Sequence, residues 1–274
     1  MKRARLQALF LRACVTLACV LTVGVLALLV GYILVRGIPN LTPSLFALTY
    51  TTENVSLFPA LINTILMTAL SLVFAAPVGI FSAIYLVEYA PRGNKIVALI
   101  RLTTETLAGI PSIIYGLFGY LFFVTTLGFG YSFLSGAVTL AIMVLPLIMR
   151  TTEEALKSVP DSYREGSFGL GAGRLRTVFR IVLPAAVPGI LAGVILSVGR
   201  IVGETAALIF TAGTAPVIPE SVMHSGRTLS VHMYALWTEG LYTEQSYATA
   251  VVLLIVVIGI NALSSYLAKK CTKG

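Results

Sequence analysis

An arginine and a glutamate lie four residues apart inside an apolar stretch of this chain, at Arg200 and Glu204. Residues at i and i+4 share one face of a helix, so we expect the two side chains to face each other. An ionised side chain at mid-membrane costs about 2.5–3.5 kcal/mol, so such a pair either tethers helices or marks a transport pathway. The planar guanidinium of Arg200 suits a tetrahedral oxyanion. Thr205 and Ser197 would add neutral donors.

Two further features lie in other apolar segments. Arg150 ends one segment and precedes four polar residues, 151–154. It is either a boundary arginine whose charge reaches the membrane surface or an inner relay for an anion that leaves toward the cytoplasm. Pro111 follows Gly109 closely in another segment, and because proline donates no backbone hydrogen bond, a broken or kinked helix is predicted there. Such a break either borders a transport site or serves helix packing.

The segment 150–184 is a charged, glycine-rich insert between two apolar runs. Ser162 and Glu165 have the spacing of a capping box, which predicts the start of a short helix. The glycines at 169–173 predict a sharp turn with positive φ. A second short helix is expected to lead to Pro184 in the first turn of the next membrane span. This insert would either bind anionic lipid or present a stiff elbow to a soluble partner.

The composition excludes a soluble globular protein. Of the 274 residues, 57% are hydrophobic and only 11% are charged, and the mean hydropathy is +0.94. In soluble domains, about a quarter of all residues are charged. A helix crosses a bilayer with about 20 apolar residues, and several runs of this chain are that long. We therefore predict an all-α, polytopic transmembrane helix bundle with six spans, at about 10–35, 59–87, 106–127, 132–150, 185–210 and 247–268.

The basic residues are distributed unequally between the two sides of the predicted membrane. One side carries 16 Lys and Arg residues, in the N-terminal tail, the 88–105 loop, the insert and the C-terminus, whereas the other side carries Arg36 and Arg227. The positive-inside rule then orients both termini and the insert toward the cytoplasm. Because the net charge of +8 arises from these loops, it predicts no nucleic-acid partner.

The residues predict neither an enzyme nor a cofactor site. The phosphate-binding pattern G-x-x-x-x-G-K-[ST] does not occur, so ATP hydrolysis would need another polypeptide. His224 and His232 lie eight residues apart without a third ligand, and the three cysteines lack a metal-binding spacing. An integral-membrane enzyme is disfavoured, because no nucleophile and base occur together at membrane depth.

The insert resembles the coupling ("EAA") loop of ABC-importer permeases, a helix-turn-helix that docks into an ATPase subunit. Gly166 and Ser167 stand where that loop usually has two alanines. Three further blocks, at 77–90, 107–119 and 200–206, resemble the permeases of Pst-type phosphate importers, specifically their A subunit. The residues that carry the coupling-loop resemblance are Glu165, Gly166, Ser167, Gly171, Ile181, Leu183 and Pro184.

The resemblance implies an ABC type I importer permease, with a core at 59–268, a first span and outer loop at 1–58, and a tail at 269–274. It implies a second permease as heterodimer partner, two ATP-binding subunits and an extracytoplasmic phosphate-binding protein, in a bacterial or archaeal cytoplasmic membrane. It further implies that inorganic phosphate passes Arg200, with Arg150 and Glu153 or Glu154 as additional candidates. A permease for molybdate, sulfate or another oxyanion and a secondary anion transporter or channel are the alternatives.

Overall fold

The structure, a computed structural model, describes residues 2–91 and 93–272. The helices in these residues are α1 Lys2–Gly37, α2 Phe58–Ile84, α3 Lys95–Ala108, α4 Ser112–Gly119, α5 Phe133–Ser158, α6 Asp161–Gly169, α7 Arg174–Thr177, α8 Leu183–Val202, α9 Ala206–Thr211, α10 Leu229–Glu239 and α11 Thr243–Thr272. Helices α2, α4 and α7 continue directly into π-helical turns at Tyr85–Tyr89, Tyr120–Thr126 and Val178–Val182. The all-α prediction is confirmed.

The core lies between α2, α5 and α8, with α5 at its centre. Small residues allow the helix axes to approach closely. Membrane helices depend on such close packing, because in lipid the hydrophobic effect does not drive them together. A Cβ atom added to Gly193 of α8 would overlap Thr151 of α5, and one added to Gly189 would lie 2.6 Å from the Ala155 Cβ. These two contacts set the antiparallel register of α5 and α8.

Within residues 2–91 and 93–272, six membrane spans are present by length and composition, provided that one bent pair of helices counts as a span. Five continuous helical stretches are long and apolar enough to cross a membrane. The sixth span is the pair α3 and α4, which turns by 103° at the break that contains Pro111. The predicted interruption is therefore confirmed, whereas the interpretation of 106–127 as a single run is corrected. Its apolar part begins at Ser112, after the bend.

Two span boundaries near the insert differ from the prediction. Helix α5 continues past Arg150 to Ser158, so Arg150 lies within the helix and not at its end. Helix α7, its π-helical turn and α8 follow one another without a gap, so the expected second short helix is the beginning of the fifth span. Pro184 has no amide hydrogen to donate, and the wider π-helical turn before it accommodates the proline ring without ending the helix.

Helix α1 lies at the edge of the bundle and packs mainly against α11. Gly37 faces the backbone of Tyr247 and the Val251 side chain, and the Tyr32 ring meets the Tyr247 ring edge-on with centroids 5.8 Å apart. Between residues 9 and 29 the large apolar side chains of α1 are exposed. In a membrane this surface faces lipid or another subunit.

Candidate functional site

Arg200 and Glu204 do not face each other on one helix. Helix α8 ends at Val202, Gly203 caps it, and Glu204 lies in the break before α9. Glu204 is only 8% exposed, and its Oε1 accepts a hydrogen bond from the Ala207 N–H at 3.0 Å. The expected i, i+4 contact is wrong, because the helix ends before Glu204 and the carboxylate instead accepts from one amide in the first turn of the next helix. The fifth span consequently ends at Val202 and not near residue 210.

Arg200 keeps an unpaired guanidinium in the last turn of α8. Its side chain is half-buried, and within the described part of the chain it makes no ion pair and no side-chain hydrogen bond. Thr205 is half-buried at the start of α9, and its hydroxyl makes no hydrogen bond to the described residues. Ser197 is fully buried and donates to the Gly193 carbonyl at 3.0 Å, so it offers no donor to a solute.

Helix α4, which follows the break in the third span, packs against helix α9, which follows the break after the fifth span. Gly116 of α4 lies so close to α9 that an added Cβ would fall 2.8 Å from the Ala207 Cα. Tyr115 donates to the Leu107 carbonyl at 2.8 Å and so joins α3 and α4 across their bend. Interrupted helices are tolerated at membrane depth where protein or a water-filled cavity satisfies the backbone. The unpaired cation Arg200 therefore lies next to the break that follows α8, and the helix after that break packs on α4.

Arg150 lies at a different depth from Arg200. In the antiparallel register of α5 and α8, Arg200 is level with residue 144, six residues from Arg150. At 1.5 Å per residue this is about 9 Å along the helix axis. Arg150 is exposed and forms an ion pair with Glu154 at 3.0 Å. The two arginines therefore do not form one site.

Glu153, the carboxylate before Glu154, ties α3 to α5. Its Oε2 accepts from Arg101 Nε at 3.1 Å and from Lys157 Nζ at 2.7 Å. The Glu153 side chain is nearly buried, whereas both cations are partly exposed. This carboxylate is thus engaged by two cations, of which Arg101 links α3 to α5 and Lys157 belongs to α5 itself.

The insert folds as a helical hairpin made of α6 and α7. In the turn between them Gly171 has a φ of +81°, which only glycine adopts readily, while Gly173 has an ordinary φ of −73°. The hydroxyl oxygens of Ser167 and Thr177 lie 2.8 Å apart, and both residues are buried. This contact closes the hairpin, and the predicted turn is confirmed at Gly171.

The predicted capping box at the start of the hairpin is wrong. Helix α6 begins at Asp161, with Pro160 in the N-cap position, so Ser162 already lies in the first turn. A serine inside the helix cannot cap its first amides as an N-cap residue does. Glu165 and Gly166 are exposed on α6, and Glu165 makes no ion pair within the described residues.

The tip of the hairpin presents large apolar side chains to solvent. Leu170 is 91% exposed. Contiguous exposed apolar groups mark protein-interaction surfaces. At the base of the hairpin Ile181 and Leu183 are half-buried and Pro184 is exposed. The other exposed apolar residues of α6 and α7 are Tyr163, Phe168 and Leu175.

A buried ion pair that the sequence reasoning missed joins the hairpin to the end of the second span. Arg164 Nη2 lies 2.6 Å from Glu88 Oε1, and the two side chains are 15% and 8% exposed. The same guanidinium donates to the carbonyls of Val159 and Leu156 at 2.8 and 2.9 Å and pairs with Asp161 at 3.2 Å. The hydrogen bond to Glu88 is the main cause that raises the pKa of Arg164. The sequence could have indicated this pair only through the opposite charges of Glu88 and Arg164 on the same predicted side of the membrane.

After the fifth span, the segment before α10 packs against the first turns of α2 and contains a buried arginine, Arg227. Arg227 is 4% exposed and lies over the Tyr50 ring at 4.7 Å, and the fully buried His232 meets the same ring edge-on. Burial first, and then the charge of Arg227, lower the pKa of His232 from 6.5 to about 3. His232 is therefore a neutral packing residue, while His224 is exposed.

Residues 75–273 match the family described as "Binding-protein-dependent transport system inner membrane component". A "Probable ABC transporter permease protein YqgI" of Bacillus subtilis (strain 168) is 33% identical over 266 residues, which cover 88% of this chain and 89% of the relative. A "Phosphate transport system permease protein PstA 1" of Mycobacterium tuberculosis (strain ATCC 25618 / H37Rv) is 37% identical over 209 residues. Those residues cover 74% of this chain and 67% of the relative.

Solved ABC importers share the fold. A chain of a bacterial ABC transporter involved in the import of the acidic polysaccharide alginate aligns with a TM-score of 0.70 at 16% identity, over 97% of this chain and 99% of that one. A chain of the inward-facing MetNI methionine ABC transporter aligns with a TM-score of 0.61 at 20% identity, over 78% of this chain and 94% of that one. The family model matches most of this chain, and the relative from Bacillus subtilis is similar over nearly its whole length. This chain therefore belongs to the inner-membrane permease components of binding-protein-dependent ABC importers.

Proposed function

We propose that this chain is the permease subunit of an ATP-driven importer of inorganic phosphate and forms half of its translocation pathway. A second permease subunit completes the pathway, two ATP-binding subunits drive it, and an extracytoplasmic phosphate-binding protein delivers the substrate. Both termini lie in the cytoplasm. The observation that carries the proposal is the α6–α7 hairpin, an exposed apolar elbow between two membrane spans. Similarity to relatives such as the phosphate transport system permease of Mycobacterium tuberculosis supports phosphate as the substrate.

Arg200 binds the passing phosphate. Its guanidinium is unpaired within the described residues and lies in the last turn of α8, next to the break before α9. Glu204 accepts from the Ala207 amide and makes no ion pair with Arg200 within the described residues, so the guanidinium is available to an anion. Thr205 adds a neutral donor. One guanidinium and a hydroxyl hold the anion weakly enough for it to leave, as conduction requires. Arg150, about 9 Å away along the helix axis, is the next station toward the cytoplasm.

The hairpin transmits the nucleotide cycle of the ATPase to the fifth span. Helix α7 is continuous with α8 through its π-helical turn, so a displaced hairpin moves the helix that carries Arg200. ATP-driven closure of the motor subunits rocks the paired bundles outward, and hydrolysis restores the inward-open state. The residues that engage the ATPase are Glu165, Gly166, Ser167 and Gly171 on the hairpin and Ile181, Leu183 and Pro184 at its base.

The substrate role of Arg200 is tested by Arg200→Gln in the assembled transporter. We expect phosphate uptake to be lost while the complex still assembles, because glutamine keeps the approximate size but removes the charge. Arg12→Gln removes a cation from the exposed helix α1 and is the matched control, with uptake expected at the wild-type level. Normal uptake in Arg200→Gln would show that this guanidinium is not on the pathway.

The coupling role is tested at the two ends of the hairpin turn. Gly171→Val places a β-branched residue at a φ of +81°, which costs about 1–3 kcal/mol and deforms the turn. Gly173→Val is the matched control, because Gly173 has a φ of −73° and open space around it. We expect Gly171→Val to weaken ATPase co-purification and uptake, and Gly173→Val to do so much less. Equal behaviour of the two variants would count against this assignment.

A permease for another oxyanion is the second candidate, and the chemistry of Arg200 is compatible with it, because a guanidinium does not distinguish tetrahedral anions by itself. Sulfate and molybdate should fail to compete with labelled phosphate uptake if phosphate is the substrate. Uptake driven by a proton gradient without ATP would instead indicate a secondary transporter.

A further inference from the structure

A polar cavity of about 640 Å³ lies between the α6–α7 hairpin and the segment that joins α2 to α3. It is separate from Arg200 and from the exposed tip of the hairpin. Its charged lining consists of five basic side chains, Lys95, Arg101, Lys157, Arg164 and Arg174, and two acidic ones, Glu88 and Asp161.

Three of the five cations are compensated by neighbouring carboxylates. The guanidinium of Arg164 is engaged by Glu88 and Asp161, as described above. Arg101 and Lys157 share one further carboxylate, that of Glu153. Among the described residues, the two lining carboxylates and the adjacent Glu153 stand against five cations, which leaves two positive charges.

The two remaining cations lie on different structural elements. Lys95 is the first residue of α3, and Arg174 is the first residue of α7. Neither makes an ion pair within residues 2–91 and 93–272. The guanidinium of Arg174 lies over the Tyr89 ring at 5.4 Å, which holds it at the cavity. An anion between Lys95 and Arg174 would therefore connect the hairpin to the α2–α3 segment.

We propose that this cavity binds a phosphate group, carried by an anionic phospholipid headgroup or by free inorganic phosphate. Lys and Arg side chains that line one cavity can supply charge-assisted donors to phosphate oxygens. Next to Lys95, helix α3 exposes the apolar side chains of Ile96, Leu99 and Leu102, which suits a position at the membrane surface. The bound phosphate links α3 to α7 and so restrains the hairpin that moves the fifth span. This role goes beyond the transport function and does not depend on the transported anion.

Hydrogen exchange of the assembled transporter, without nucleotide or binding protein, tests the site. In one arm the complex is placed in nanodiscs with an increasing fraction of phosphatidylglycerol in phosphatidylcholine, in phosphate-free buffer. In the other arm, phosphatidylcholine nanodiscs are titrated with inorganic phosphate, with chloride at matched ionic strength as the reference. The readout is amide protection in segments 88–101 and 161–174. Protection in the first arm identifies a lipid headgroup, and protection in the second identifies free phosphate.

The double variant Lys95→Gln/Arg174→Gln should shift the midpoint of protection at least about tenfold, since each basic residue near the surface contributes about 1 kcal/mol to binding an anionic headgroup. Arg12→Gln/Arg176→Gln removes the same charge away from the cavity and should leave the midpoint unchanged. Equal exchange in all arms, or protection that the cavity variant does not alter, overturns the proposal. Because the readout is local to these segments, that failure would leave the Arg200 uptake result standing.

Discussion

Removing Arg164 should detach the hairpin from the second span. In Arg164→Met the carboxylate of Glu88 stays buried without its guanidinium, and the Val159 and Leu156 carbonyls lose their donors. Breaking a buried pair by removing one partner costs about 3–5 kcal/mol. Both side chains are well below a third exposed, so little of this is lost to solvent screening. We expect about 3 kcal/mol of local stability to be lost at the hairpin.

The measurement is hydrogen exchange of segment 156–177 combined with uptake and ATP hydrolysis in the assembled transporter. In Arg164→Met we expect faster hydrogen exchange in this segment. We also expect less uptake per ATP hydrolysed than in the wild type. Arg150→Met is the matched control, because its pair with Glu154 is about two-thirds exposed and contributes less than about 1 kcal/mol. That variant should leave exchange in the hairpin unchanged.

A double-mutant cycle with Glu88→Met separates the pair from the individual residues. Replacing both partners of a buried ion pair by apolar residues is often close to neutral. Glu88→Met/Arg164→Met should therefore recover most of the exchange protection lost in Arg164→Met. If Arg164→Met exchanged no faster than Arg150→Met, or if the two single effects simply added, the contact would not anchor the hairpin.

Two further predictions concern packing and pH. Gly193→Val should destabilise the bundle by about 1–3 kcal/mol, because the new side chain overlaps Thr151. Thermal unfolding measures this against Gly24→Val, at a glycine with open space around it; equal melting temperatures would contradict the packing argument. His232 has a native pKa of about 3, so below pH 6.5 the unfolded state takes up a proton that the native state does not. Stability should fall by up to about 1.4 kcal/mol per pH unit as the pH drops, and His232→Phe should remove this slope. Identical slopes in chemical denaturation would refute it.

Local features of the fold could be predicted because each depends on a short stretch of residues. The apolar runs predict the spans, since burial in lipid needs only length and hydropathy. Pro111 predicts the break in the third span, and Gly171 the turn of the hairpin, because both act on their own backbone. The predictions that failed involve competition between neighbouring residues. Pro160, and not Ser162, occupies the N-cap position of α6. Helix α8 was expected to continue through Glu204 and place it beside Arg200, but it ends at Val202 with Gly203 as its C-cap.

By itself, the sequence determined an all-helical membrane protein with a charged elbow before its fifth span, because hydropathy and turn-forming residues act locally. Only the tertiary structure decided which charges meet. Glu88 and Arg164 are 76 residues apart and pair because the hairpin folds onto the end of α2. Likewise, Arg150 and Arg200 occupy different depths because Gly193 packs on Thr151 and sets the register of two helices. These outcomes depend on contacts between distant segments, which no local pattern specifies.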